Sequence, residues 1–290
     1  MPQPSRFSSI LRPLGLIWLS VCLHWETLVQ AIRHNGLRAL GHPQKIQDAA
    51  SAKLLSITSS GFISYEDTTI VPSLVQAASG VVLDLGPGPG NQIHRFDVSR
   101  VQQIYGVEPN SQFNNTINSL LDKHGLQEKY KLISCGIEDS DILSKEGVTE
   151  GSLDTVLCIQ VLCAVKDPKS VMKEVWKLLK PGGKFIFWEH GWSRNRVTTV
   201  AQGMYQSSDR VNCVCKLANG ESIACLNPAW STFVGCDLTR NVLADILNGG
   251  EWENPDDIEE LHEPVSLLPR IQGVLVKKTS SNAESDPTRS

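Results

Sequence analysis

The run Val81–Leu85 followed by Gly86-Pro87-Gly88-Pro89-Gly90-Asn91 constrains this chain more than any other feature. A short apolar run ending in alternating glycines reads as a buried strand that turns tightly at its C-terminal end, where backbone can approach a ligand closely. Pro87 and Pro89 fill the intervening positions and stiffen the turn, because proline fixes φ. A helix is expected to follow, its N-terminal N–H groups aimed at the same place. Downstream, strand-like and helix-like runs alternate. The strands are Gln103–Val107, Tyr130–Ser134, Leu153–Ile159, Lys184–Glu189, Ile258–His262 and Gln272–Lys277, and the helices Asn110–His124 and Pro168–Leu179. This alternation predicts an α/β fold of the Rossmann-like, doubly wound kind, with a mostly parallel sheet. Leu153–Ile159 is almost continuously apolar and suits a strand covered on both faces. Val171, Val175, Leu178 and Leu179 recur at helical spacing, and Lys180-Pro181-Gly182-Gly183 stops that helix.

Residues 46–278 are therefore expected to form one domain, whose start is covered by a helical segment over 46–78 with a loop near Ser59–Gly61. Residues 279–290 are polar and free of aromatics, the composition of a disordered tail. Residues 1–45 carry five Lys/Arg and one acid, a balance of +4 in a chain whose net charge is -4. The apolar run Leu14–Leu23 within them is shorter than the roughly 20 residues a spanning helix needs, and no A-x-A-like cleavage site follows it. Peripheral contact of residues 10–25 with an anionic membrane and a helix packed on the domain are the two readings left in front. No long basic stripe or aromatic platform argues for a nucleic-acid partner.

The glycines are spaced G-x-G-x-G. The dinucleotide fingerprint G-x-G-x-x-G would place its last glycine at Asn91, so the loop instead has the form used for S-adenosylmethionine. Asp84, Gly86, Gly88 and Gly90 are the residues of that turn. Glu108, at the end of the second strand, is placed to accept hydrogen bonds from both ribose hydroxyls. Glu138, ahead of Asp139, follows the third strand within reach of an adenine amino group. Gln160 and Val161 follow the fourth strand, and Glu189 and His190 end the fifth. His190 is the candidate base for an acceptor that must shed a proton, with Glu189 as its orienter or an alternative base, and Asp237 is a further pocket candidate. Of eight cysteines, Cys135, Cys158 and Cys163 read as small core hydrophobes in a reducing, cytoplasmic compartment. Cys213, Cys215, Cys225 and Cys236 are spaced C-x-C-x9-C-x10-C, without the paired knuckles of a zinc site, so no metal is expected.

VVLDLGPGPGN, IYGVEPN, CGIEDSD, GSLDTVLCIQVLCAVKDP, LKPGGKFIFWEH, NPAWSTFVGCDLTR and EPVSLLPRIQGVLVKK occur in this order over residues 80–278. Together they resemble the class I methyltransferases, in the branch of the mammalian membrane-associated thiol S-methyltransferases and their fungal relatives. The resemblance implies a seven-stranded sheet with an antiparallel last strand, S-adenosylmethionine as methyl donor, and an N-terminal membrane-directed segment, which would hold a cytoplasmic protein on the cytoplasmic face of an internal membrane. It implies a small-molecule or short-peptide acceptor methylated on nitrogen or sulfur, in natural-product biosynthesis or in thiol detoxification. It would place Asp84, Gly86, Gly88 and Gly90 on the methionine half of the cofactor, Glu108 on the ribose, Glu138 and Asp139 at the adenine, and Gln160 between methyl and acceptor. Residues 207–226 intervene where such relatives run nearly straight on, and read as an insertion. A membrane-docked binding protein that keeps the cofactor fold without turnover is the rival from another class.

Overall fold

The computed structural model describes residues 6–191, 205–207, 210–212, 215–216, 222–223, 226–261 and 268–279. Of two short antiparallel pairs, Tyr205–Ser207 with Arg210–Asn212 straddles the start of the expected insertion and Cys215–Lys216 with Ser222–Ile223 falls within it. Cys213, Cys225, His262 and the expected tail from 280 onward lie outside the described residues.

The domain is built on seven strands: β1 Gly80–Leu85, β2 Val101–Val107, β3 Tyr130–Ile133, β4 Leu153–Ile159, β5 Leu179–His190, β6 Glu259–Glu260 and β7 Arg270–Val276. Their order across the sheet is β6-β7-β5-β4-β1-β2-β3. The five strands from β3 to β5 are parallel, and β7 runs antiparallel to β5. This is the class I methyltransferase architecture expected of the sequence. The chain begins at β1, winds outward to β3 and returns to β4, so the strand order reverses between β1 and β4. In open α/β sheets ligands bind at the C-terminal ends of strands beside such a reversal.

Apolar residues fill both faces. Leu83, Leu85, Val156, Phe185 and Phe187 belong to one core cluster, and Val82, Ile104, Leu157, Ile186 and Trp188 to the other. Successive strand residues point to opposite faces, which is why adjacent residues divide between the clusters.

The helices are α1 Arg6–Asn35, α2 Pro43–Glu66, α3 Val71–Gln76, α4 Asn114–His124, α5 Ser140–Lys145, α6 Pro168–Leu178, α7 Leu226–Phe233 and α8 Val242–Leu247. Two expectations are corrected. No loop interrupts the chain at Ser59–Gly61, because α2 runs through it to Glu66. One glycine in a helix costs only about 1 kcal/mol, and the hydroxyls of Thr58 and Ser64 bond back to carbonyls of Leu54 and Ser60 within the helix. The break comes instead at Asp67–Ile70, just before Pro72. The segment after the glycine turn holds only a single 3-10 turn, Ile93–Arg95, rather than an α-helix. No α-helix dipole is therefore aimed at the site from this segment, and the Gly86, Gly88 and Gly90 N–H groups are held by Val107, Glu108 and Pro87.

Helix α1 divides along its length. Ser20, Leu23 and Thr27 are buried, and the Ser20 hydroxyl donates to the Phe233 carbonyl of α7. Leu14, Trp18, Cys22 and Trp25 form the opposite, exposed stripe at helical spacing, with Trp18 71% and Trp25 67% exposed. The helix is thus packed on the domain along one face and open along the other. Together with the following 3-10 turn, Leu14–Gly41 contains an 18-residue window of mean hydropathy 1.3 and is, by length and composition, long and apolar enough to cross a membrane. That stretch is longer than the ten-residue run visible in the sequence.

Candidate active site

The glycine turn connects β1 to the site. Gly86 adopts φ +60°, and a Cβ there would meet Val161 Cγ1 at 2.8 Å, so glycine lets the turn close against the end of β4. Gly88, at φ +54°, has nothing within 4 Å of where its Cβ would stand, which leaves an open cradle over the backbone. Glu108 is 6% exposed and spans the cradle's flank. Its Oε2 accepts the Gly88 N–H at 2.9 Å and its Oε1 the Asn110 N–H at 2.8 Å. Burial raises its pKa, and these two backbone bonds work against that rise. Asp84 sits beneath, accepting from the Tyr130 hydroxyl at 2.9 Å. Burial pushes its pKa up to about 7. Helix α2 lies over these loops. Asn110 Nδ2 donates to the Asp48 carbonyl at 2.9 Å, and Ser59 Oγ to Asn91 Oδ1 at 2.5 Å.

Asp139 and Glu138 are both exposed after β3. Asp139 Oδ2 is committed to the Gly136 N–H at 2.8 Å. The Glu138 carboxylate lies against Gly136, where a Cβ would meet its Oε2 at 2.6 Å.

Gln160, just past β4, is in the left-handed region at φ 60°. Its N–H donates to the Trp188 carbonyl at 2.8 Å, and its Nε2 to Glu66 Oε1 at 3.0 Å. Glu66 is the centre of a buried network that the sequence reading missed. Its Oε2 accepts from Arg95 Nη1 at 2.6 Å and Gln92 Nε2 at 2.9 Å, while Arg95 Nη2 reaches Asp67 at 2.6 Å. The end of α2 is thereby tied to the glycine turn and to the end of β4.

Glu189 is fully buried. Its Oε1 accepts the N–H groups of Val161 at 2.6 Å and Leu162 at 3.0 Å, so it shapes the loop after β4. Burial raises its pKa to about 7. The expected pairing of Glu189 with the His190 imidazole is replaced by another. His190 Nδ1 lies 3.2 Å from Cys236 Sγ, because consecutive strand residues turn their side chains apart. Burial, with the nearby Arg270 charge, holds the His190 pKa well below 6.5. Asp237 is taken up locally, accepting the Thr239 N–H at 2.9 Å and hydroxyl at 2.7 Å. Cys163, Trp230, Cys236 and Leu238 form a small apolar cluster against Leu16 and Ile17 of α1.

Residues 83–187 match the family described as "Methyltransferase domain". The chain is 31% identical over 204 residues to thiol S-methyltransferase TMT1B of Rattus norvegicus, covering 68% of this chain and 70% of that protein. The chain belongs to the class I S-adenosylmethionine-dependent methyltransferases. A second relative is thiol S-methyltransferase TMT1A of Homo sapiens, 31% identical over 161 residues, 55% of this chain and 54% of that one. The fold is shared with an O-methyltransferase family protein from Burkholderia thailandensis at a TM-score of 0.52, 12% identity, 94% coverage of this chain and 73% of that chain. The cofactor of this methyltransferase is S-adenosylmethionine, and the open cradle at Gly88 beside a buried carboxylate fits it.

Proposed function

We propose that this methyltransferase moves the methyl group of S-adenosylmethionine to the sulfur of a small apolar thiol at a membrane surface. The observation that carries the acceptor class is the 31% identity with a thiol S-methyltransferase over 70% of that protein's length. The buried apolar cluster of Cys163, Trp230, Cys236 and Leu238, packed against α1 Leu16 and Ile17, is compatible with an apolar acceptor beside it.

Asp84, Gly86, Gly88 and Gly90 hold the methionine half of the cofactor, Glu108 the ribose, and Glu138, with Asp139 behind it, the adenine. Gln160 and Val161 line the passage between methyl and acceptor. S-adenosylmethionine supplies an activated methyl on a cationic sulfur, so the protein's part is alignment of the acceptor and exclusion of water. Glu189 positions the Val161–Leu162 backbone. His190 presents an imidazole held neutral on the acceptor side, a weak base for an acceptor proton and a ligand for a Lewis acid.

The exposed Leu14–Trp18–Cys22–Trp25 stripe and a basic cleft holding His34, Arg38, His42 and Lys45 support docking on an anionic membrane. The cytoplasmic face of an internal membrane suits the free thiols at Cys22, Cys135, Cys158, Cys163 and Cys236.

A second reading is transfer to nitrogen of a small molecule or a short peptide, in natural-product tailoring. It is favoured by the segment 207–226, which leads directly into α7 and its cluster residue Trp230. Transfer of labelled methyl to hexanethiol, hexylamine and a tripeptide with a free N-terminus separates the two. Thiol-only product supports the sulfur reading, and amine or peptide product replaces it.

A further inference from the structure

Cys236 does find metal-ligand partners, though not the cysteines near it in sequence. The fold brings together Cys163 after β4, the terminal His190 of β5, and Cys236 between α7 and α8. Their ligand atoms all lie within 4.8 Å of one another. The backbone enforces this arrangement. The Asp237 N–H donates to the Cys163 carbonyl at 2.9 Å. The Arg240 guanidinium donates to the carbonyls of Leu162 and Val165, and Asn227 Oδ1 accepts the Leu238 N–H at 2.8 Å. Cys163 and Cys236 are 2% and 7% exposed. A second observation points to a ligand. His190 Nε2 is buried with no hydrogen-bond partner among the described residues, a costly state that a metal on this nitrogen would relieve.

We propose that Cys163, His190 and Cys236 bind Zn2+ and that the fourth coordination position takes the sulfur of the acceptor thiol. Two thiolates and one imidazole are a soft donor set that favours zinc, and zinc sites with three protein ligands keep a position open for substrate. Tetrahedral bonds of about 2.3 Å to sulfur and 2.0–2.1 Å to nitrogen set ligand atoms roughly 3.5–3.8 Å apart. The observed cluster brackets this spacing, so side-chain adjustments of about an ångström suffice. Two thiolates cancel the charge of the ion.

The catalytic half of this inference rests on the thiol reading above. The acceptor R–SH releases its proton to solvent as its sulfur joins the metal. A lone pair of that sulfur forms the new S–CH3 bond while the methyl–sulfonium bond breaks. The electron pair of the broken bond stays on the sulfur of S-adenosylhomocysteine. The neutral thioether is a weaker ligand than the thiolate and leaves.

Full-length protein freed of metal by chelation is titrated with Co2+ as a spectroscopic stand-in, and with Zn2+ in competition. The expected result is one equivalent bound with a thiolate-to-cobalt charge-transfer band, shifted by hexanethiol. Cys163→Ser and Cys236→Ser each abolish the band and weaken Zn2+ binding by roughly 100-fold or more, since few ligands share the binding energy. Cys213→Ser/Cys215→Ser/Cys225→Ser keeps the band. Calorimetric binding of S-adenosylmethionine shows that each variant is folded. Should one not fold, the wild type answers instead: Zn2+ must shield Cys163 and Cys236, but not Cys22, from alkylation. No band, or a band that survives loss of Cys163 and Cys236, overturns the site. Full thiol methylation by metal-free protein overturns the acceptor role of the metal and leaves the thiol reading standing. A band indifferent to hexanethiol overturns the acceptor role, whatever the methylation assay shows.

Discussion

Replacing Glu108 by Gln removes one charge and one acceptor from a side chain whose two oxygens already hold the Gly88 and Asn110 N–H groups. The Gln amide oxygen can keep one of these bonds. Its NH2 then faces the other N–H, so one backbone donor and the cradle's flank are released together. A ribose bound there would lose hydrogen bonds to a charged acceptor, each about 1.5–3 kcal/mol. Losing one such bond raises the Kd by about 10- to 150-fold. The fold itself should suffer less, because the change also removes the burial penalty that raises the Glu108 pKa. Isothermal calorimetry with S-adenosylmethionine and with S-adenosylhomocysteine measures both affinities. They should weaken by the same factor, since the two share the ribose. A folded variant with a Kd within twofold of wild type would refute the placement of the ribose on Glu108.

Arg95→Met leaves Glu66 as an uncompensated buried charge, since the paired side chains are only 3% and 2% exposed. Stability should fall by about 3–5 kcal/mol in denaturant unfolding, and adding Glu66→Met should restore most of it. A loss under about 1 kcal/mol would show the network to be idle. Asp84 has a folded pKa of about 7 against an ordinary 3.8. Between those values the native state keeps a proton the unfolded chain has lost, so stability falls as pH rises from about 4 to 7 and is flat above. The span is on the order of 4 kcal/mol. Asp84→Asn should flatten this slope in pH-dependent unfolding, and an unchanged slope would assign it to other groups. Trp18→Ser with Trp25→Ser should lower partition onto phosphatidylserine vesicles roughly 10-fold or more without altering the thermal midpoint. Sedimentation equal to wild type would move the contact off this stripe.

The parallel core was legible wherever burial on both faces made a strand continuously apolar. Leu153–Ile159 is the same span in sequence and structure, and the β1 and β2 assignments end on the observed residues Leu85 and Val107. The glycine turn was legible because its conformation demands particular residues. The link between Glu66 and Arg95 was not, because the partners are 29 positions apart and only the path of α2 brings them together. The run Ser59-Ser60-Gly61 carries turn chemistry locally, and packing of the helix overrode it. His190 and Cys236 illustrate the limit at the site. Each was visible as a residue capable of chemistry, but their 3.2 Å approach depends on how the segment after α7 folds back on β4. Cys163 was read as a core hydrophobe, and its burial agrees with that. Its neighbours gave no signal in sequence.

The most direct test is a single turnover. Protein preloaded with one equivalent of methyl-labelled S-adenosylmethionine is mixed with hexanethiol and quenched over time. Methyl hexyl sulfide and S-adenosylhomocysteine should appear together, one of each per protein. If the bound cofactor is recovered unchanged, the assignment of thiol methylation fails.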